Sequence, residues 1–178
     1  MGEAAESLHF WRATHSQTRE FLLAAGVFGR IVASNECWTT FVPFEQGEIT
    51  RTVSLLPGLI LHWIYFEDFG LGLNFWEKGE ELGRAEFRWQ AGLEQSIAPS
   101  LLKNLRARGV LDSFERLHGL ARRVVAGSCL PRDVRDGAAA LLGIPAYEWM
   151  SPEYGYDTSI DEIRRLFPGA EELGGPDQ

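Results

Sequence analysis

Residues 59–89, LILHWIYFEDFGLGLNFWEKGEELGRAEFRW, place eight aromatic residues and four glycines in 31 positions. No other part of the chain restricts the fold as much. Leu59, Leu61, Trp63 and Tyr65 alternate with Ile60, His62, Ile64 and Phe66, a spacing that puts each set on one face of a strand. Both sets are apolar, which predicts a central strand with material packed on each side. Glu67-Asp68-Phe69-Gly70 reads as a turn, and Leu71, Leu73 and Phe75 then alternate with Gly72, Asn74 and Trp76. After Lys78-Gly79-Glu80, another turn, a third strand sends Leu82, Arg84, Glu86 and Arg88 outward and Ala85, Phe87 and Trp89 inward, the pattern of a strand with one wet face. Three strands joined by tight turns make an antiparallel meander.

The flanking sequence extends this frame. Thr14-His15-Ser16-Gln17 fits a capping box and opens a short helix that Gly26 ends. Residues 27–33 and 37–44 are rich in β-branched and aromatic side chains around the turn Ser34-Asn35-Glu36, so they read as a hairpin. Pro43, which has no N–H for a ladder, belongs at a strand end. Residues 45–48 read as loop. After Gln90 the apolar period lengthens to about 3.6. Ser96 is placed to cap a helix through Leu101, Leu102 and Leu105, ended by Gly109. A second helix follows through Leu111, Phe114, Leu117, Ala121 and Val124. A third starts at Pro131 and stops at Gly143. Ser159-Ile160-Asp161-Glu162, a second capping box, opens a last helix that ends at Pro168. The predicted fold is α+β: an N-terminal helix, an antiparallel sheet of about five strands, and a C-terminal group of three or four helices. Residues 1–168 form a single domain, and the polar, Gly/Pro-rich segment 169–178 is expected to be a disordered acidic tail.

Charge narrows the function classes. Lys and Arg number 17 against 25 Asp and Glu, a net charge of −8. Such a surface lacks the broad basic footprint of nucleic-acid binding, although residues 84–136 are locally basic, with ten Lys/Arg against six Asp/Glu. The longest apolar run, 55–66, is broken by Pro57, Gly58 and His62 and is too short to span a bilayer. The opening residues lack the apolar stretch of a secretory signal. These features place the protein in the cytoplasm, with no membrane partner. Two cysteines, Cys37 and Cys129, make no disulfide framework.

Phosphate-loop, dinucleotide, zinc-protease and nucleophile-elbow motifs are all missing, and no catalytic residue, metal ligand or cofactor is assigned. His9, His15, His62 and His118 are scattered and do not form a metal set. His62, Tyr65, Glu67 and Asp68 could together form an acid–base site, but alternation turns Tyr65 away from His62, and turn acids explain Glu67 and Asp68. Cys129, just before a helix start, is a candidate reactive thiol, with a plain packing role as the alternative. Arg106, Arg108, Arg116, Arg122, Arg123 and Lys103 could share a basic helical face. Trp149, Tyr154 and Tyr156 lie beside Asp157 and other acids in a Pro/Gly-rich connection, a composition found at interface hot spots.

Three functional expectations follow. The first is a non-catalytic bacterial binding protein of the immunity or adaptor kind, holding a protein partner through Trp149, Tyr154, Tyr156 and Asp157. The second is a small-molecule-binding protein or enzyme with a pocket between sheet and helices near His62. The third, disfavoured by the net charge, is a nucleic-acid accessory using the Arg-rich helices.

Overall fold

The computed structural model describes residues 5–145 and 158–174. Among them are eight strands and six helices. The strands are β1 (Ala5–Trp11), β2 (Gly29–Ser34), β3 (Trp38–Pro43), β4 (Leu59–Phe66), β5 (Gly70–Glu77), β6 (Glu80–Arg88), β7 (Glu94–Ile97) and β8 (Glu171–Leu173). The helices are α1 (His15–Ala24), α2 (Gln46–Leu55), α3 (Leu101–Ala107), α4 (Glu115–Val125), α5 (Pro131–Leu142) and α6 (Ile160–Leu166). All eight strands join one sheet in the order β7-β6-β5-β4-β1-β3-β2-β8, and every pairing is antiparallel.

The sequence-predicted meander is β4–β5–β6, and the predicted hairpin is β2–β3. Both capping boxes form. The Thr14 hydroxyl accepts from the Gln17 N–H while the Gln17 side chain accepts from Thr14, and Ser159 and Glu162 repeat the exchange at α6. Pro131 opens α5, and Gly143 closes it in the left-handed conformation at φ +71°, which a residue with a Cβ adopts only at a cost.

The sheet has eight strands where about five were expected, and each difference has a local cause. β1 was not predicted: its sequence, AESLHFW, offers only a short alternation ahead of the helix cap. α2 replaces part of the expected loop. Ile49, Val53 and Leu56 lie at helical spacing and are buried against the sheet, so packing overrides the polar look of residues 45–48. Ser96 does not cap a helix; it pairs with Glu86 in β7, and the helix begins after Ser100. The tail expected to be disordered contributes β8 through residue 173, paired with β2. There Ala170 and Leu173 are buried. Glu171 accepts from Arg19 at 2.7 Å and meets His15 at 2.9 Å, so it ties β8 to α1.

The two sheet faces are covered unequally. On one face Leu61, Trp63, Tyr65, Leu73, Phe75 and Phe87 pack beneath α3, α4 and α5 in the largest core. On the other, α1 and α2 cover Leu8, Phe10, Ile31, Phe41 and Ile60. β4 is central, as its sequence predicts, but its second face is fully covered only at Ile60. His62, Ile64 and Phe66 remain half-buried.

Two stability predictions follow. Trp63 is fully buried in the larger core, so Trp63→Ala should cost about 3–5 kcal/mol in chemical denaturation, the range for truncating a large core aromatic. Deleting residues 170–178 removes β8 and should cost about 2 kcal/mol or more, since burying one Leu contributes roughly 1.5–3 kcal/mol. An unchanged denaturation midpoint in the truncated chain would mean that β8 adds nothing to the fold.

Candidate functional site

No helix among the described residues covers the second face of β4, β5 and β6 beyond His62. A groove of about 800 Å³ lies there. Its floor is the even-numbered face of the meander, including Ile64, Phe66, Gly72 and Asn74. Phe69, in the turn at 67–69, and Gln90, Ala91 and Gly92, in the connection to β7, also line it. The strand register sets out this surface in rows. Ile64, Gly72 and Glu86 lie side by side across β4, β5 and β6; His62, Asn74 and Arg84 form the next row, and Phe66, Gly70 and Arg88 the row on the other side.

Gly72 gives the floor its depth. Its backbone is not in the left-handed region, and the nearest atoms to a Cβ built there belong to Ile64, at 3.6–3.9 Å, an ordinary contact. Neither backbone geometry nor packing requires glycine at this position. Gly70 differs: a Cβ there would clash with the Phe87 carbonyl oxygen, so close backbone approach accounts for it.

The polar lining is unevenly satisfied. Arg88 donates to Glu86 at 2.8 Å. Glu94 lies across from Arg88 in the β6–β7 ladder and has no ion pair or hydrogen bond among the described residues. The Asn74 side-chain oxygen is buried with no hydrogen-bond partner, the kind of group that usually finds a bond to protein, water or ligand. The rings of Phe66 and Phe69 stand 6.1 Å apart at 81°.

His62 borders the groove without lining it. Its Nε2 lies 2.8 Å from a Glu6 carboxylate oxygen, with 13% and 12% of the two side chains exposed. The pair is Cα-registered through β1: Glu6 sits opposite Ile64, and Leu8 opposite His62. Glu67 and Asp68, the acids that sequence placed nearest His62, lie in the turn beyond the end of β4. The groove lies on the helix-free face, one row of the ladder from His62. Tyr65 points into the opposite core, and burial raises its hydroxyl pKa. Trp149, Tyr154, Tyr156 and Asp157, the expected protein interface, lie outside the described residues.

A second polar cluster is wholly internal. The Thr40 hydroxyl donates to the Pro145 carbonyl at 3.1 Å and accepts from His9 Nδ1 at 3.0 Å. This leaves His9 Nε2 unprotonated to accept from the Ser7 hydroxyl at 2.9 Å. A serine, a histidine and an orienting hydroxyl are the parts of an activated nucleophile. Here, however, Ser7, His9 and Thr40 are all buried. Burial, with His62 nearby, lowers the His9 pKa from 6.5 to about 3, so the ring is a poor base. The cluster is a satisfied bridge in the core, between the edges of the Trp38 and Trp63 rings.

The remaining sequence candidates do not gather into a site. Cys37 and Cys129 are free. Burial raises the Cys129 thiol pKa, and Sγ donates to the Leu120 carbonyl, so the reactive-thiol reading is corrected. Arg108 is held by both oxygens of Glu77, at 3.1 and 2.7 Å, and this pairing lowers the Glu77 carboxyl pKa. Arg106 donates to the Asp112 carbonyl. Arg122 and Arg123 sit in the last turn of α4, where cations complement the helix dipole. Among the described residues no group of three or more His, Cys, Asp or Glu could hold a metal ion. No helix among them is long and apolar enough to cross a membrane.

No known protein family, curated protein or solved structure matches this chain.

The groove was hard to find in sequence because its residues read as ordinary strand and turn positions. Its one signal was Gly72 and Asn74 alternating with Leu71, Leu73 and Phe75, a small and polar face opposite an apolar one. His9 yields the pH prediction. Folding holds the ring neutral, so the stabilisation is fully present above the unfolded pKa of about 6.5 and is lost as pH falls toward about 3. Between pH 6.5 and 4 this single group should remove about 3 kcal/mol. In urea denaturation at several pH values, His9→Gln should flatten the stability slope over that window. A variant with the parent slope would refute the assignment.

Proposed function

We propose that the protein is a small-molecule-binding protein whose ligand lies in the groove over Gly72, its apolar body against Ile64 and Phe66. The reading rests chiefly on Gly72, which stands on the floor of a helix-free sheet face although neither φ nor packing requires glycine there. A strand residue with a side chain would pack better against its neighbours. Its absence leaves the floor open in a groove of about 800 Å³, within the range of small-ligand sites. Apolar walls with one unpartnered buried amide oxygen, on Asn74, also suit a ligand site. The acidic surface and the aromatic-acidic segment motivate a protein partner, but the groove is the better supported site.

A screen of soluble aromatic fragments by amide-shift perturbation tests the proposal. Binders should move the amides of Gly70, Gly72 and Gly92. Gly72→Val should fold with stability within about 1 kcal/mol of the parent, since the strand scale spans about that much. Gly72→Phe should place a ring over the groove floor and weaken binding at least ten-fold. Binders that leave these amides unmoved, retained affinity in Gly72→Phe, or no binder at millimolar concentration would each overturn the reading.

A further inference from the structure

We infer that the ligand of this groove is an uncharged aryl carbonyl compound, its ring over Gly72 and its carbonyl oxygen accepting from the Asn74 side chain. The inference deepens the groove-binding reading and rests on it.

The orientation of one amide carries it. Asn74 follows Gly72 on the same face of β5 and lines the groove. Its Oδ1 is shut off from solvent and has no hydrogen-bond partner. The end of the amide that the groove can meet is therefore Nδ2, which donates to no described residue. The reverse placement would bury the two N–H donors of the amide without acceptors, and orphaned N–H groups are rarer in protein interiors than orphaned carbonyls. The floor thus presents a donor, and the matching group on a ligand is an acceptor.

The neighbours leave that donor uncommitted and the floor uncharged overall. In the row of Asn74, His62 Nε2 lies 2.8 Å from Glu6, and Arg84 donates to both oxygens of Glu81, at 2.9 and 3.0 Å. Neither flanking side chain bonds Asn74. Further along β6, Arg88 donates to Glu86 at 2.8 Å. The charges that β6 brings to this face are paired within the fold. A charged ligand would compete with a partner already in place, whereas a carbonyl needs only Nδ2.

Spacing supplies the third argument. Two residues along a strand stand about 7 Å apart. A carbonyl fixed directly on a flat ring spans that gap: with the ring over Gly72, its oxygen comes within about 3 Å of Nδ2. A strand glycine permits such a close approach to the backbone, and Ile64, directly across the ladder, gives the ring an apolar neighbour. Without ligand, Nδ2 is left to water, whose place the carbonyl oxygen takes. A ligand with only a donor would set donor against donor. A purely apolar one would strip Nδ2 of water and return no bond.

1-Indanone and indole separate these classes. Both are flat, uncharged and bicyclic; the first offers only an acceptor, the second only a donor. Each is titrated into the full chain and into Asn74→Leu and Asn74→Asp, with Kd read from the amide shifts of Gly70, Gly72 and Gly92. Parent-like amide positions away from the groove show that a variant is folded, and either variant alone decides the outcome. Asn74→Leu keeps the size of the side chain and removes the donor. It should weaken 1-indanone about five-fold, the loss of one neutral hydrogen bond, without weakening indole. Asn74→Asp replaces the donor by an acceptor, so it should weaken 1-indanone at least as much and tighten indole. If indole loses affinity in Asn74→Leu and 1-indanone does not, the amide presents its oxygen and the carbonyl assignment fails while the groove stands. The same holds if neither ligand responds to either variant with shifts still mapping to Gly72. If neither moves these amides in the parent at millimolar concentration, the groove itself is refuted.

Discussion

The seating of β1 between β3 and β4 is the contact on which the rest of the molecule depends. Its ladder to β3 runs from Leu8↔Phe41 to Trp11↔Trp38, and its ladder to β4 from Ala5↔Tyr65 to Phe10↔Ile60. Without it, the β2–β3 hairpin and the β4–β5–β6 meander would each expose an edge. β1 also contributes to both faces. Leu8 and Phe10 enter the core under α1 and α2, while Ser7 and His9 face the larger core and carry its polar bridge to Thr40. Glu6, at the edge of the groove, holds His62. One strand thus sets the sheet order, seats a buried histidine and fixes a side chain next to the candidate site.

The groove is a consequence of unequal coverage. Three helices serve one face of the meander, while α1 and α2 cover the second face over β1, β2, β3, the start of β4 and Trp76 at the end of β5. A bare sheet face normally carries polar side chains, and β6 supplies them: Arg84, Glu86 and Arg88. β4 and β5 supply Ile64, Phe66 and Gly72 to the same surface, which makes it apolar and recessed where a solvated sheet would be polar and flush. That mixture, with an unpartnered Asn74 oxygen, sets this surface apart from an ordinary wet face.

Much of this architecture was legible in local sequence. Alternation located β4, β5 and β6; reciprocal capping residues located α1 and α6; Pro131 and Gly143 bounded α5. Each of these signals acts within a few residues. The missed elements depend on distant ones. β1 is a strand because β3 and β4 pair with it, β7 because β6 offers an edge, and β8 because β2 does. α2 is a helix because Ile49, Val53 and Leu56 find apolar partners on the sheet. The site was legible only near His62. Its partner Glu6 is 56 positions away, a pairing that local pattern could not supply, and the groove itself is a place that no helix covers.

The position of β1 in the chain also governs the order in which the protein can assemble. Leu8 pairs with Phe41 and with His62, and Ile31 pairs with Glu171. During synthesis β1 is made before either of its partners: Leu8 waits for Phe41 of β3, and its other edge stays open until His62 of β4 has emerged. The helix that follows it, with its own reciprocal cap, is local and can form in that interval. Closing such long loops before their contacts stabilise them slows folding. The interval leaves a short, apolar β-segment open to pairing with another nascent chain. Chaperone dependence of this protein in the cell would thus trace to the wait imposed on its central strand.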